Sequence, residues 1–204
     1  MQKPISLKTF NRLVDMLTII EQSPPEQQTF SSNELARNLG VSDILVRKDL
    51  NSIGISGRPK IGFSRQDLVT NLEHVLGYSG HNEAIIVGCG RLGRSLLDFH
   101  LLDSLGISLV AGFDLTPSTI GRLEVLPVTK MSSLIRRMRI KLALVSVPEN
   151  VAQTVTDQLI EAGIKVIWNF TATPLIVPED IHVHQDDLRR SVAHIQQHLD
   201  SEES

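Results

Sequence analysis

Apolar residues in the first third of the chain recur at helical spacing, whereas those in the rest gather into short continuous runs. Phe10, Leu13, Val14, Leu17 and Ile20 share one face of a helix predicted over residues 7–21. Ser23-Pro24-Pro25 ends it, because proline cannot continue the hydrogen-bond ladder and biases its predecessor away from helical angles. Ser31-Ser32-Asn33-Glu34 has capping-box spacing and predicts a second helix over residues 32–38. Gly40 closes that helix, and Ser42 can cap a third running to about residue 53. Two short helices about a tight turn form a helix-turn-helix, whose second helix enters the major groove in proteins that read DNA. Residues 54–63 then have the glycine density and flanking apolar positions of a β-hairpin with a basic tip, which completes a winged helix. Phe10, Leu13, Leu17, Leu35, Leu39, Val46 and Leu50 are its expected core.

Past a connecting helix over residues 67–76 and a polar, glycine-bearing linker over 77–82, the pattern changes. Apolar strands are predicted over 84–87, 109–113, 142–147 and 165–170, with helices over 92–102, 131–138, 151–162 and 187–199. Continuous apolar strands separated by helices predict a parallel sheet covered on both faces. The expected fold class is therefore α/β: a winged helix-turn-helix domain over residues 1–80 and a Rossmann-like parallel-sheet domain over residues 81–204. Only the acidic tail, residues 200–204, reads as disordered.

Composition sharpens this division. The 204 residues carry a formal charge of −3, which looks wrong for a protein that meets DNA. Through Arg65, however, nine Lys and Arg face six Asp and Glu, a net of +3, while the remainder holds 11 against 17, a net of −6. Attraction to phosphate depends on the local field of the docking face, so the asymmetry permits DNA binding. No apolar run approaches the roughly 18 to 20 residues of a membrane span, and the polar start Met1-Gln2-Lys3-Pro4 is unlike a secretory signal. A cytoplasmic location, with no membrane partner, is the expectation. The single cysteine, Cys89, cannot pair internally and reads as a small spacer in a turn. His182 with His184 and His194 with His198 have spacings that could hold a metal, but no cysteine or acidic cluster completes a site, so none is expected.

The chemistry lies in Gly88-Cys89-Gly90-Arg91-Leu92-Gly93, which follows a strand and opens a helix. In such a turn Gly88 makes the bend, Gly90 lets pyrophosphate approach the backbone, and Gly93 lets helix and sheet pack closely. Asp114 stands 21 residues beyond Gly93 at the end of the next strand, where a carboxylate accepts from a ribose 2′-hydroxyl and repels a 2′-phosphate. That favours NAD(H) over NADP(H). Asp114 could instead cap the Thr116-Pro117 turn, and Arg122 could in principle hold a 2′-phosphate.

Ser31 to Ala36, Val46-Arg47-Lys48-Asp49-Leu50, the glycine fingerprint, Val147-Pro148 with Ala152-Gln153, and Ala162-Gly163-Ile164-Lys165 leading to Asn169-Phe170 together resemble the Rex family of redox-sensing transcriptional repressors. The resemblance covers almost the whole chain in order. It implies a homodimer that binds operator DNA, exchanges its terminal helix between subunits and leaves the operator when NADH replaces NAD+. The nucleotide set it implies is Gly88, Cys89, Gly90, Arg91, Leu92, Gly93, Phe99, Asp114 and Pro148, with Phe99 beside the nicotinamide. The DNA set is Ser42, Arg47, Lys48, Asn51, Arg58 and Lys60, and Asp187 falls at an interdomain contact. Three features depart from the family pattern: Thr18 replaces a first-helix arginine, Pro59 replaces a wing arginine, and the last helix is more polar.

Two other functions compete. A small NAD-dependent oxidoreductase, or a coenzyme-A or nucleotide-binding subunit, would use the same glycine turn, but a dehydrogenase needs an acid or base beside the carbonyl and a substrate domain. Neither is legible, and no catalytic residue is expected. A non-switching DNA-architectural protein would have no need of Gly88, Gly90, Gly93 and Asp114 together.

Overall fold

Four serines start the four helices of the first unit. Ser6, Ser31, Ser42 and Ser64 accept from the N–H groups of Thr9 (3.2 Å), Glu34 (3.1 Å), Leu45 (3.3 Å) and Asp67 (3.4 Å). Each such cap satisfies a donor the helix cannot and is worth about 1 kcal/mol. The helices are α1 (Leu7–Gln22), α2 (Ser32–Leu39), α3 (Asp43–Ser52) and α4 (Arg65–Leu76). Glu34 also reaches back to the Ser31 N–H, completing the capping box, and Gly40 ends α2 at φ +65°. The computed structural model describes residues 5–98, 101–186 and 188–202, and the chain divides into units Met1–Gly80 and His81–Ser204.

Leu13, Met16, Leu17, Ile20, Leu35, Val46, Leu50, Leu68 and Leu72 fill the core of the first unit with Phe30. Burial of each large side chain stabilises by about 1.5–3 kcal/mol. Two expected core positions differ: Leu39 is only partly buried, and Phe10 stands 37% exposed, because the buried face of α1 runs along Leu13, Met16, Leu17 and Ile20.

The expected hairpin over residues 54–63 is shorter than predicted. Its first residues end α3 instead of forming a strand: the Ile55 N–H donates to Leu50 O (2.9 Å) and the Ile55 side chain is buried. What remains is one bridge, Arg58 with Gly62, closed by Pro59, a left-handed Lys60 (φ +66°) and Ile61. Three-residue loops with one left-handed position are a common way to turn a hairpin. The two-stranded sheet of this unit pairs β1 (Thr29–Phe30) with β2 (Phe63–Ser64), antiparallel. Gly62 permits it, since a Cβ there would lie 2.4 Å from Phe30 O.

The second unit is a seven-stranded sheet in the order β5-β6-β4-β3-β7-β8-β9. Its strands are β3 (Asn82–Val87), β4 (Ile107–Asp114), β5 (Ser118–Ile120), β6 (Leu123–Pro127), β7 (Leu142–Val145), β8 (Val166–Asn169) and β9 (His182–Gln185). All pairs are parallel except β5 with β6. Residues of β3 alternate between two cores: Ile85 and Val87 join Ala143, Val145 and Leu159 on one face, while Ala84 and Ile86 join Leu97 and Leu144 on the other. Both faces are thus dry, which is why the strand reads as an unbroken apolar run. The helices are α5 (Arg91–Leu97), α6 (Leu101–Ser104), α7 (Met131–Met138), α8 (Glu149–Ala162) and α9 (Leu188–Glu202). Chain order reverses between β4 and β7 across β3, the switch point outside which sheets of this kind bind ligands.

Three expectations are corrected here. The helix predicted over 92–102 is two pieces, α5 and α6. α5 ends at Leu97 with Asp98 as its C-cap, and Leu97 and Leu102 bury in one cluster. The β5–β6 hairpin was not predicted, although Ile120-Gly121-Arg122-Leu123 is a two-residue glycine turn between apolar residues. Residues 200–202, expected to be disordered, continue α9.

Candidate functional site

Outside the carboxyl ends of β3, β4 and β7 lies a cleft of about 830 Å³. Gly88, Gly90, Arg91 and Leu92 form one wall, Asp114, Leu115 and Val128 a second, and Ser146, Val147 and Pro148 a third; Asn150, Val151, Thr154 and Gln158 of α8 face them. Each glycine of the turn has a separate physical reason. A Cβ on Gly88, which has φ +92°, would lie 2.3 Å from Ser146 O, and one on Gly93 would lie 2.0 Å from Gly88 O. A Cβ on Gly90 would meet nothing within 4 Å. The first and third glycines are therefore demanded by the protein's own packing, whereas the second leaves open space at the start of α5, whose first N–H groups have no partner within the helix.

Asp114 is fastened in place. Its Oδ2 accepts from the Cys89 N–H at 2.7 Å and its Oδ1 from the Thr116 N–H at 3.3 Å. The two roles read for this residue are compatible: it braces its own turn and still lines the cleft. Arg94 Nε donates to Cys89 O (3.1 Å), which pins the turn from the other side. Cys89 and Gly93 build the turn without lining the cleft, and the buried Cys89 Sγ lies 3.7 Å from Phe113 O. Burial, and then the Asp114 carboxylate, push the Cys89 thiol up to about 11, so it is a protonated apolar spacer at neutral pH. Arg122 is exposed on the β5–β6 turn and does not line the cleft. Phe99 and Asp187 lie outside the described residues.

Sequence reasoning missed the α8 wall. Val151, Thr154, Val155 and Gln158 share one helical face and all line the cleft. Their spacing is legible, but a face bearing two valines reads equally well as core.

A second groove, of about 480 Å³, lies in the first unit between α3 and the hairpin tip. It brings together Arg47, Asn51, Arg58 and Lys60 of the expected DNA set, with Ser31, Ser32 and Ser56 at its edge. Arg47 and Asn51 sit one helical turn apart on the same face of α3. Lys48 is exposed but does not line the groove, and Ser42 serves as the α3 cap. Arg47 pairs with Asp43 one turn earlier, an exposed contact of small energetic weight that a phosphate could replace. Behind the groove, Arg12 of α1 holds Asp49 of α3 in a two-pronged ion pair, Nε to Oδ2 at 2.6 Å and Nη2 to Oδ1 at 3.0 Å. Asp49 is buried, and its hydrogen bond holds the Arg12 guanidinium above its ordinary range. Nothing in the sequence marked this pair.

Comparisons with known proteins find matches for both units. The family model described as "CoA binding domain" matches residues 80–173, and the one described as "Putative DNA-binding protein N-terminus" matches residues 4–51. The chain is similar to a redox-sensing transcriptional repressor Rex of Porphyromonas gingivalis, 35% identical over 81% of this chain and 78% of the relative. A Rex of Treponema denticola is 32% identical over 94% of each chain. Among solved structures, RSP in complex with β-NAD+ and operator DNA superimposes with a TM-score of 0.90 at 30% identity, covering 98% of this chain and 95% of that one. RSP in complex with β-NADH gives a TM-score of 0.86 at 30% identity, covering 98% and 97%.

Proposed function

This chain belongs to the Rex family of redox-sensing transcriptional repressors, and from that premise we propose that it is a homodimer that binds operator DNA and leaves it when NADH binds. One observation carries the reading: a single chain holds both a cationic helix-turn-helix groove and a cleft at a glycine turn, lined by Asp114 with its carboxylate already braced by the Cys89 N–H. The cleft fits an NAD-type dinucleotide. Its pyrophosphate is assigned to the open space at Gly90, and its adenosine ribose to Asp114. The bound group supplies a redox-dependent difference in shape and charge at its nicotinamide end. Leu115, Val128, Val151 and Val155 offer the apolar walls that exclude water around the rest.

Dimerisation is assigned to α9. Val192, Ile195 and Leu199, at spacings of three and four, lie 52%, 58% and 54% exposed on one face. Such a stripe matches a helix that packs on a second copy. The polar residues elsewhere on α9 leave that seam intact.

Arg47 and Asn51 on α3, with Arg58 and Lys60 on the tip, are assigned to the duplex; Ser42 and Lys48 contribute from outside the groove, as phosphate contacts. A dinucleotide moves the dimer off its operator only by binding the DNA-incompetent arrangement more tightly than the competent one. Shifting such an equilibrium from 99:1 to 1:99 takes a preference of about ten-thousandfold. Once the spacing of the two recognition helices changes, half-sites one or two helical turns apart are no longer reached together. The relatives are bacterial repressors, and a bacterial operator lies in the cytoplasm, which is the location proposed here; no helix among the described residues is long and apolar enough to cross a membrane.

The deciding experiment is operator-duplex anisotropy at fixed salt with NADH or NAD+ added. Release by NADH at concentrations where NAD+ leaves the complex intact supports the reading. Steady NADH consumption with a panel of small carbonyl compounds, and no effect on DNA, replaces it with the dehydrogenase alternative.

A further inference from the structure

Among the described residues only two outside glycine have a positive φ, and both are cations: Lys60 at +66° in the DNA-facing groove, and Arg139 at +57° in the second unit. Arg139 follows the last turn of α7 at the left-handed position where glycine is the ordinary choice; its N–H donates to Ile135 O, and the Ile140 N–H to the same oxygen at 3.1 Å. An arginine retained where glycine would sit without strain invites a functional reason. The surroundings supply one. Arg139 lines a cleft of about 620 Å³ at the amino ends of β3, β4 and β7, on the edge of the sheet opposite the glycine turn. His81, Asn82 and Lys141 line it too, with one acid, Glu83, and an apolar floor that includes Ile107 and Leu142.

The neighbouring cations differ in what already occupies them. Arg136 donates to Glu161 O (3.4 Å) and Lys141 to Gly163 O (3.1 Å), so both serve the carbonyl end of α8. Arg137 and Arg139 are exposed, and no comparable structural duty accounts for them. Four of the 11 Lys and Arg after Arg65 thus fall within residues 136–141 of a segment whose net charge is −6. We propose that the cleft at Arg139 is a second anion site, outside both the nucleotide cleft and the helix-turn-helix groove, that takes a phosphate group through Arg139 with His81 and with Lys141, whose ammonium keeps two donors beyond the one given to Gly163 O. A DNA backbone flanking the operator and a free phosphorylated small molecule both present that group.

Two variants test it: Arg139→Gly, which removes both the strain and the charge, and Arg139→Asn, which tolerates the left-handed backbone and removes the charge alone. The first arm is calorimetric titration with inorganic pyrophosphate, at matched ionic strength and with saturating NADH filling the glycine-turn cleft. The second compares operator duplexes with and without flanks of about 15 base pairs, without NADH. The expected result is that Arg139→Gly melts about 3 °C higher while losing at least fivefold in one arm, with Arg139→Asn losing the same. Loss in the first arm assigns the site to a free phosphate compound. Loss of the flank-dependent gain, with the salt slope lower by about one, assigns it to DNA. If both variants are folded and match the native protein in both arms, or if Arg139→Gly melts lower, the proposal fails. Core-operator binding and its release by NADH stay intact in every case, so failure here leaves the proposed function untouched.

Discussion

The backbone N–H of Cys89, in the middle of the glycine turn, donates to Asp114 Oδ2 at 2.7 Å, joining the end of β4 to the start of the nucleotide cleft. The carboxylate assigned to the ribose is therefore fixed before any ligand arrives, and little ordering is left for binding to supply. Asp114→Asn keeps an amide oxygen for the Cys89 N–H but gives up the negative charge. NADH affinity is expected to fall about tenfold to hundredfold, and the preference for NADH over NADPH to narrow, because a 2′-phosphate is no longer repelled. Fluorescence titration with the two coenzymes measures both effects, and an unchanged preference would remove Asp114 from the ribose site.

Gly90 and Gly93 separate binding from folding. Gly93→Ala places a methyl group 2.0 Å from Gly88 O and is expected to destabilise the second unit by about 2 kcal/mol or more. Gly90→Ala meets nothing within 4 Å, so its melting temperature should hold while NADH affinity drops at least tenfold. Trp168, the single tryptophan, lies in β8 and reports unfolding of this unit by fluorescence. A Gly90→Ala protein that binds NADH normally would contradict the placement of the pyrophosphate.

These contrasts also show what the sequence could and could not say. The turn, Asp114 and the α3 cations were legible because each carries a local signature: a glycine spacing, an acid after a strand, charges on a capped helix. The α8 wall was not, because Val151, Thr154, Val155 and Gln158 have the same periodicity whether they face a core or a ligand. Nor was the end of α5 at Leu97, where Asp98 caps the helix with no glycine or proline to mark the stop. Arg12 and Asp49 lie 37 residues apart, and no local pattern pairs them.

Cys89 supplies a pH signature. Its thiol is raised from the ordinary 9.0 to about 11, first by burial and then by the Asp114 charge, so the folded state favours the protonated form. This contribution to stability is present in full below pH 9 and is lost as pH rises towards 11. Denaturation curves of the native protein should fall relative to Cys89→Ala across that interval, and the folded thiol should resist alkylation at pH 8. Parallel curves, or rapid alkylation, would contradict it.

The Arg12–Asp49 pair holds the recognition helix against α1. The side chains are 19% and 5% exposed, so removing one partner leaves a charge in poor solvent. Asp49→Ala is expected to cost about 3 kcal/mol and to lower operator affinity through a loosened α3. Replacing both, as Arg12→Met with Asp49→Leu, should recover most of the stability, since a buried pair and a packed apolar pair are often near-equal. Circular dichroism melts of the three variants decide it; additive losses in the double variant would show that the two residues do not act together.

The central claim is a coupling between the dinucleotide and the duplex, and linkage makes it measurable from both sides. Operator affinity is titrated at fixed salt as NADH is raised, and NADH affinity is titrated with and without saturating operator, in the native protein, in Asp114→Ala and in Arg47→Ala. The account predicts that, in the native protein, NADH weakens operator binding and operator weakens NADH binding by the same factor. It also predicts operator retained despite NADH in Asp114→Ala, and weakened DNA binding with normal NADH affinity in Arg47→Ala. A native protein whose operator affinity is the same at every NADH concentration, while NADH demonstrably fills the cleft, would contradict it.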